Sequence, residues 1–206
     1  MKILVVASCT KSKKYSEPDQ TYRTKAIDMY GGSFLPIKRS VETFQRFQGD
    51  SSLDLVIVSA GYGVLRQNDL ILPYDKTFSG KSKDHLVKEY ERLNIKNDFH
   101  KLLESSYDLI IIAVGTDYAG SLGLEDISTD TPVLLIVDKR VLQKDLRKIE
   151  NLFSIEHTQE LNKIVGCAGI YLKGILIERA LDFIRDKGIA TFLSNPKTIF
   201  EPTTFF

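Results

Sequence analysis

The sequence predicts an α/β fold, in which a mostly parallel sheet of at least four strands is flanked by helices in a three-layer, Rossmann-like arrangement. Short runs rich in valine and isoleucine, without polar alternation, are typical of strands buried on both faces. There are four of them, at residues 3–7, 55–58, 109–114 and 133–137. Segments with helical spacing separate the runs, and this alternation indicates right-handed βαβ units.

The predicted helices lie between and after the four apolar runs. Apolar stripes cross residues 33–47 and 83–93, and helical spacing continues from Phe99 to Leu103. Residues 160–187 predict a long helix. The small residues at 166–169 mark either tight packing or a break into two pieces.

Length and composition limit the possible classes of protein. The 206 residues fit one α/β domain, residues 1–206, with 1–140 as the sheet core and site loops and 141–206 as a helical segment and irregular tail. A net charge of +1 indicates no broad basic surface for nucleic acid, although a local patch stays open. No signal peptide and no apolar run long enough for a membrane is visible. We therefore expect a cytoplasmic protein without membrane association.

Polar loops follow the predicted strands. Ligands of open parallel sheets bind beyond the carboxyl ends of the strands, so we expect these loops to share one site. The candidate substrate-binding residues are Ser8, Thr10, Lys11, Lys13, Ser59, Gly61, Tyr62, Gly63, Arg66, Asp69, Tyr74 and Tyr118.

The first of these loops combines hydroxyl groups with lysines. Backbone N–H groups of such a turn bind anions, and Lys11 and Lys13 add positive charge, which favours a phosphate site. A solvated lysine surface is the alternative. Neither a P-loop nor a complete dinucleotide glycine motif is present.

Cys9, in the same loop, is a candidate nucleophile. Nearby lysines favour the thiolate, but no histidine lies in the neighbouring loops, and a small buried residue is the alternative. The three histidines and two cysteines show no metal-ligand spacing, so we expect neither a metal nor a cofactor.

Three tyrosines and two carboxylates complete the candidate site. Tyr62, Tyr74 and Tyr118 offer faces for stacking a nucleobase. Asp117 and Asp69 are candidate general bases, and Asp69 forms either a ligand clamp or an internal ion pair with Arg66. We expect at least three of Cys9 and the three tyrosines to line one polar cleft.

The block from Ser59 to Tyr74 resembles the YaaA-type bacterial peroxide-stress proteins and a related group of small uncharacterised proteins. The matching residues are Ser59, Tyr62, Gly63, Leu65, Arg66, Asp69, Ile71, Pro73 and Tyr74, with further matches at Cys9, Lys13, Ala26, Asp28, Tyr30, Gly115, Tyr118 and Leu122. The resemblance covers residues 2 to about 122. A more distant one is to archaeal enzymes that modify 7-deazaguanine in tRNA.

The resemblance implies a nucleobase or nucleic-acid context. We therefore expect a protein that binds a nucleobase-containing small molecule or nucleic acid, or an enzyme that acts on an N-glycosidic bond or modifies a base, with Asp117 and Cys9 as the catalytic candidates. A non-catalytic stress-related protein that binds DNA or a partner is the alternative. A thiol-dependent redox role for Cys9 is a third.

Overall fold

A computed structural model describes residues 1–14, 23–47 and 49–200. The strands are β1 (Lys2–Ser8), β2 (Thr24–Lys25), β3 (Ser52–Ser59), β4 (Gly63–Arg66), β5 (Leu70–Ile71), β6 (Leu109–Ala113), β7 (Val133–Val137) and β8 (Leu152–Glu156). The helices are α1 (Ala26–Met29), α2 (Leu35–Phe47), α3 (Lys83–Arg92), α4 (Ile95–Leu103), α5 (Thr116–Ala119), α6 (Lys139–Leu142), α7 (Gln159–Val165), α8 (Gly169–Lys187) and α9 (Ile189–Ser194). Short 3-10 helices span Gly32–Phe34, Leu124–Asp126 and Pro196–Phe200.

The main sheet has six strands in the order β4-β3-β1-β6-β7-β8. The four apolar runs of the sequence form its centre, β3-β1-β6-β7, and these strands are adjacent and parallel. Their side chains are buried almost completely, as expected of strands covered on both faces. The predicted α/β class and parallel sheet are therefore confirmed.

The two edge strands of the main sheet, β4 and β8, were not predicted. β4 pairs antiparallel with β3. β5 pairs with β2 in a separate two-stranded ladder, so the segment from Ser59 to Tyr74 contains two short strands and is not simply a loop. At the other edge, β8 pairs parallel with β7, so the sheet extends beyond residue 140, the boundary predicted for its core. Both expectations are corrected.

The chain changes direction along the sheet at β1. It moves through α2 to β3 on one side and then returns through α3 and α4 to β6 on the other side of β1. Right-handed crossovers in opposite directions place these helices on opposite faces. The switch point, where ligands bind in doubly wound sheets, therefore lies between β1 and β6.

The C-terminal helices cover the face that carries α2. The predicted helix of residues 160–187 is broken in two: α7 ends at Gly166, whose φ of 76° is left-handed, and α8 begins at Gly169. Beyond Gly188 the tail is not irregular as expected, because α9 buries Phe192 completely and a 3-10 helix follows. Phe205 and Phe206, which belong to the same predicted tail, lie outside the described residues. Among the described residues, no helix is both long and apolar enough to cross a membrane.

Candidate functional site

A cleft of about 590 Å³ opens at the carboxyl ends of β1, β6 and β8, at the switch point of the sheet. Most of its lining residues have polar side chains, and they come from six parts of the chain. The lining residues are Ser8, Cys9, Thr10, Lys11, Ser33, Thr77, Ser79, Gly115, Thr116, Asp117, Tyr118, His157, Gly169, Ile170 and Lys173. The volume is in the usual range for a small-molecule site.

Cys9 and Tyr118 form one wall of the cleft. The Cys9 Sγ and Tyr118 Oη atoms are 3.2 Å apart, and Cys9 is only 6% exposed. The ring of Phe78 supports the Tyr118 ring from behind, with 4.9 Å between their centroids. Burial, and then the neighbouring thiol, raise the pKa of the Tyr118 phenol, so it stays neutral and remains able to donate a hydrogen bond.

Asp117 presents a carboxylate at the cleft. Its backbone is held because the Tyr90 hydroxyl donates a hydrogen bond to its carbonyl oxygen. Within the ranges that the structure describes, no hydrogen bond or ion pair engages its carboxylate. Asp117 is therefore free to act on a ligand.

The opposite wall is organised by Asp138, which follows β7 and lies behind the cleft-lining residues. Its Oδ2 accepts a hydrogen bond from Thr116 Oγ1 at 2.8 Å and lies 3.4 Å from Lys173 Nζ. Its Oδ1 lies 3.5 Å from His157 Nδ1. One carboxylate thus links the start of α5, the residue after β8 and helix α8.

Charge and burial oppose each other in this wall. Burial acts to raise the pKa of the Asp138 carboxyl, but Lys173, the Thr116 hydroxyl and His157 together lower it below its usual value. Burial lowers the pKa of Lys173, against the opposing effect of Asp138. The Lys173 ammonium group also donates to the Val114 carbonyl at 2.8 Å, which fixes it at the base of the cleft.

The two candidate lysines of the first loop lie in different places. Lys11 lines the cleft. Lys13 instead lies over the ring of Tyr74, with Nζ 4.4 Å from the ring centroid, in a cation–π contact. Thr10 lines the cleft, while its hydroxyl donates to the Ser12 and Gly31 carbonyls and so holds the loop.

Tyr62 and Tyr74 do not line the cleft. They form an aromatic cluster with Tyr30, in which the Tyr62 and Tyr74 rings meet edge to face at 5.2 Å and the Tyr74 hydroxyl lies 2.8 Å from that of Tyr30. The expectation that three of Cys9, Tyr62, Tyr74 and Tyr118 share the cleft is therefore wrong, since only Cys9 and Tyr118 do.

Ser59 and Gly61 contact that cluster, and Gly63, nearby in the chain, packs against Leu93. The Ser59 hydroxyl lies 2.7 Å from the Tyr74 hydroxyl and accepts hydrogen bonds from the backbone N–H groups of Gly61 and Tyr62. Gly63 has a φ of 77°, and a Cβ there would lie 2.8 Å from the Leu93 carbonyl oxygen. These residues shape the turn after β3 rather than the cleft.

Arg66 and Asp69 lie elsewhere, in pockets beside Tyr107 and Lys101. The Asp69 Oδ2 accepts a hydrogen bond from the backbone N–H of Arg66 at 2.7 Å, and no ion pair joins the two side chains. The predicted internal ion pair does not form, because the tight turn between β4 and β5 brings the carboxylate to the backbone. The alternative, a ligand clamp, stays a prediction.

Sequence reasoning missed His157 and Lys173 as members of the cleft. His157 follows an edge strand with polar and exposed residues, which gives no apolar run, and Lys173 lies within a long helix. Asp138, which directly follows the apolar run at residues 133–137, is the one member of this wall whose position at this edge the sequence indicates. Across residues 1–14, 23–47 and 49–200, no group of three or more His, Cys, Asp or Glu side chains is placed to hold a metal ion.

A scan against protein-family models finds no match to this chain, and neither the curated proteins nor the solved structures contain a significant match.

Proposed function

We propose that the cleft binds a nucleobase-containing small molecule and that Asp117 assists the cleavage or transfer of its N-glycosidic bond. The observation that carries this proposal is a carboxylate without a protein partner among the described residues, at the switch point of a doubly wound sheet. The resemblance to nucleobase-related families points to the same class of ligand.

The dimensions and charge of the cleft favour a small molecule over a polymer. About 590 Å³ accommodates a nucleoside or mononucleotide. The net charge of the chain is only +1, which provides little long-range attraction for a nucleic-acid backbone. Lys11 at the rim suits a single phosphate, and Tyr118 offers an aromatic edge and a hydroxyl to the base.

The chemistry follows from the charge that develops during the reaction. As a base departs from a sugar, positive charge builds on the ring as in glycoside hydrolysis, and a nearby carboxylate stabilises it. Asp117 is suited to this because no protein cation among the described residues neutralises it. Cys9, which is hydrogen-bonded to Tyr118, contributes to the wall that holds the ligand.

The test is Asp117→Asn, assayed by chromatographic release of free base from nucleosides, nucleotides and deazaguanine-bearing oligonucleotides. We expect turnover to fall by about 100-fold or more, the usual effect of removing such a group. Affinity measured by calorimetry should change less than about threefold, because the amide keeps the shape of the carboxyl group.

Asp69→Asn is the matched control, since Asp69 lines another pocket. It should retain wild-type turnover. Equal losses in both variants, or full activity in Asp117→Asn, would contradict the assignment.

A non-catalytic role is favoured by one separate observation. A groove of about 830 Å³ between α2 and α8 is lined by Leu35, Pro36, Tyr171 and Ile175 among others, and a contiguous apolar surface of this kind can contact a partner. If the wild-type protein binds a nucleotide or an oligonucleotide but turns over none of the substrates, the binding function replaces the enzymatic one.

A further inference from the structure

We propose that His157 is the base that accepts a proton in the cleft and that Asp138 positions it. This inference rests on the proposed function, because the proton comes from the water molecule that attacks the glycosidic carbon. In this inference His157 faces the ligand and has a catalytic role. Asp138 lies behind His157 and has a positioning role.

The position of His157 is fixed by its backbone and by Asp138. Its backbone N–H donates to the Val137 carbonyl at 2.9 Å, which ties the end of β8 to the residue preceding Asp138. Its Nδ1 lies 3.5 Å from Asp138 Oδ1, while the other oxygen of that carboxylate is engaged by Thr116 and Lys173. The carboxylate is therefore held in one orientation, facing the imidazole.

This arrangement selects one tautomer of the imidazole. A carboxylate beside Nδ1 favours the proton on Nδ1, which leaves the lone pair on Nε2. At Nε2 the chain has Gly169, where a Cβ would lie 3.4 Å from Nε2 and 2.9 Å from Asn162 Nδ2. Gly169 itself lines the cleft, and because it has no side chain it does not cover Nε2 on that side.

The charges around His157 favour its neutral form. Burial, and then the Lys173 ammonium group, lower its pKa, whereas Asp138 and the nearby Asn162 side chain raise it, and the net pKa is below the usual value. The other charged groups of the cleft are Lys11, after β1, and Asp117, in α5. At neutral pH the imidazole is therefore unprotonated and able to act as a base.

The hydrolysis needs only the substrate and one water molecule. The water oxygen bonds to the glycosidic carbon, and the bond from that carbon to the base nitrogen breaks with its electron pair on the nitrogen. The water proton goes to His157 Nε2, and the imidazolium then gives a proton to the departed base. The products are the free sugar and the free base, and His157 returns to its neutral form.

The first experiment is independent of activity. Long-range ¹H–¹⁵N NMR of the three histidines gives the tautomer and pKa of His157 in the wild-type protein, in Asp138→Asn, and in the control Asp145→Asn, whose carboxylate pairs with exposed Arg147. We expect the Nδ1–H tautomer in the wild type and in the control. Asp138→Asn should lose that preference and lower the His157 pKa. An Nε2–H tautomer in the wild type would overturn the positioning role. An Nδ1–H tautomer that persists unchanged in Asp138→Asn would overturn it as well.

The second experiment uses whichever substrate of the panel is turned over. We expect kcat/KM to fall about tenfold per pH unit below the His157 pKa measured by NMR, and His157→Gln to remove this dependence and lower the rate by about 100-fold. Turnover with an unchanged acidic limb in His157→Gln overturns the inference alone. Turnover of no substrate overturns the proposed function and the base together, while the NMR result still decides whether Asp138 positions His157.

Discussion

At the scale of the residue, the hydroxyl of Ser59 has more partners than its size suggests. It meets the Tyr74 hydroxyl and two backbone N–H groups, and Tyr74 continues the chain of hydroxyls to Tyr30. Burial, followed by the nearby Cys9 thiol, raises the pKa of both tyrosines, so the hydroxyls keep their protons and the network stays intact at physiological pH. The hydroxyl groups of Ser59, Tyr74 and Tyr30 therefore serve as hydrogen-bond partners for one another.

Gly61 provides a direct test of that network. A Cβ at this position would lie 2.6 Å from Tyr74 Cδ2, so Gly61→Ala must displace the tyrosine ring. We expect the free energy of unfolding to fall by about 1–3 kcal/mol, the usual cost of overpacking. Chemical denaturation monitored by circular dichroism measures it.

The control for this substitution is Gly115→Ala. Its φ of −71° suits any residue, and a Cβ there would make an ordinary contact, 3.8 Å from Tyr118. It should lower the free energy of unfolding by less than about 1 kcal/mol, because Gly115 is the N-cap of α5 and alanine is only modestly worse there. A Gly61→Ala protein as stable as the wild type would show that Tyr74 moves at no cost and that the network does not hold the turn.

At the scale of the element, the sequence predicted the strands that are buried on both faces. Their unbroken apolar runs are too short for a typical helix and are rich in valine and isoleucine, which favours strands over helices. The strands that were missed, β2, β4, β5 and β8, are short or lie at an edge, where side chains can face solvent and need not be apolar. Periodicity carries no signal for such strands.

The candidate site was predicted in part for the same reason. Cys9, Lys11, Asp117 and Tyr118 follow the central strands β1 and β6, so their shared edge of the sheet could be inferred. His157 reaches the cleft only because β8 is a strand and lies parallel to β7. Tyr62 and Tyr74 leave it because β4 turns back antiparallel after β3, a pairing that no residue pattern indicated.

The packing of α8 on α2 is tested at Gly174. A Cβ there would lie only 3.0 Å from Pro36 Cβ and 3.4 Å from Ile37 Cγ1, so the two helices approach closely at this point. Gly174→Leu should lower the free energy of unfolding by about 1–3 kcal/mol, because the helices must separate.

The control lies on the exposed side of the same helix. Ile170 is 70% exposed, so Ile170→Ala should change stability by less than about 0.5 kcal/mol. Thermal and denaturant unfolding of both variants measure the difference. Equal stabilities would mean that α8 shifts freely on α2 and that the glycine is not required by packing.

At the scale of the whole molecule, the charge is nearly balanced, with 28 Lys and Arg residues against 27 Asp and Glu residues. Within the described ranges, several charged side chains pair with an opposite charge near the surface, such as Arg92 with Glu89 and Lys96 with Asp126. Such pairs contribute little stability and create no extended basic surface. Attraction for a phosphate must therefore come from the few cations at the cleft.

This balance predicts how binding responds to salt. If Lys11 and Lys173 supply the charge, the affinity for adenosine 5′-monophosphate should fall only weakly with salt, with a logarithmic slope of magnitude below about 2. Lys11→Ala should weaken binding by about five- to tenfold. Lys13→Ala is the matched control and should bind like the wild type, because Lys13 lies over the Tyr74 ring rather than in the cleft. Isothermal titration at several salt concentrations measures both quantities. A steep slope with a 12-nucleotide single strand, and far tighter binding of that strand than of the mononucleotide, would instead establish an extended nucleic-acid surface and contradict a small-molecule cleft.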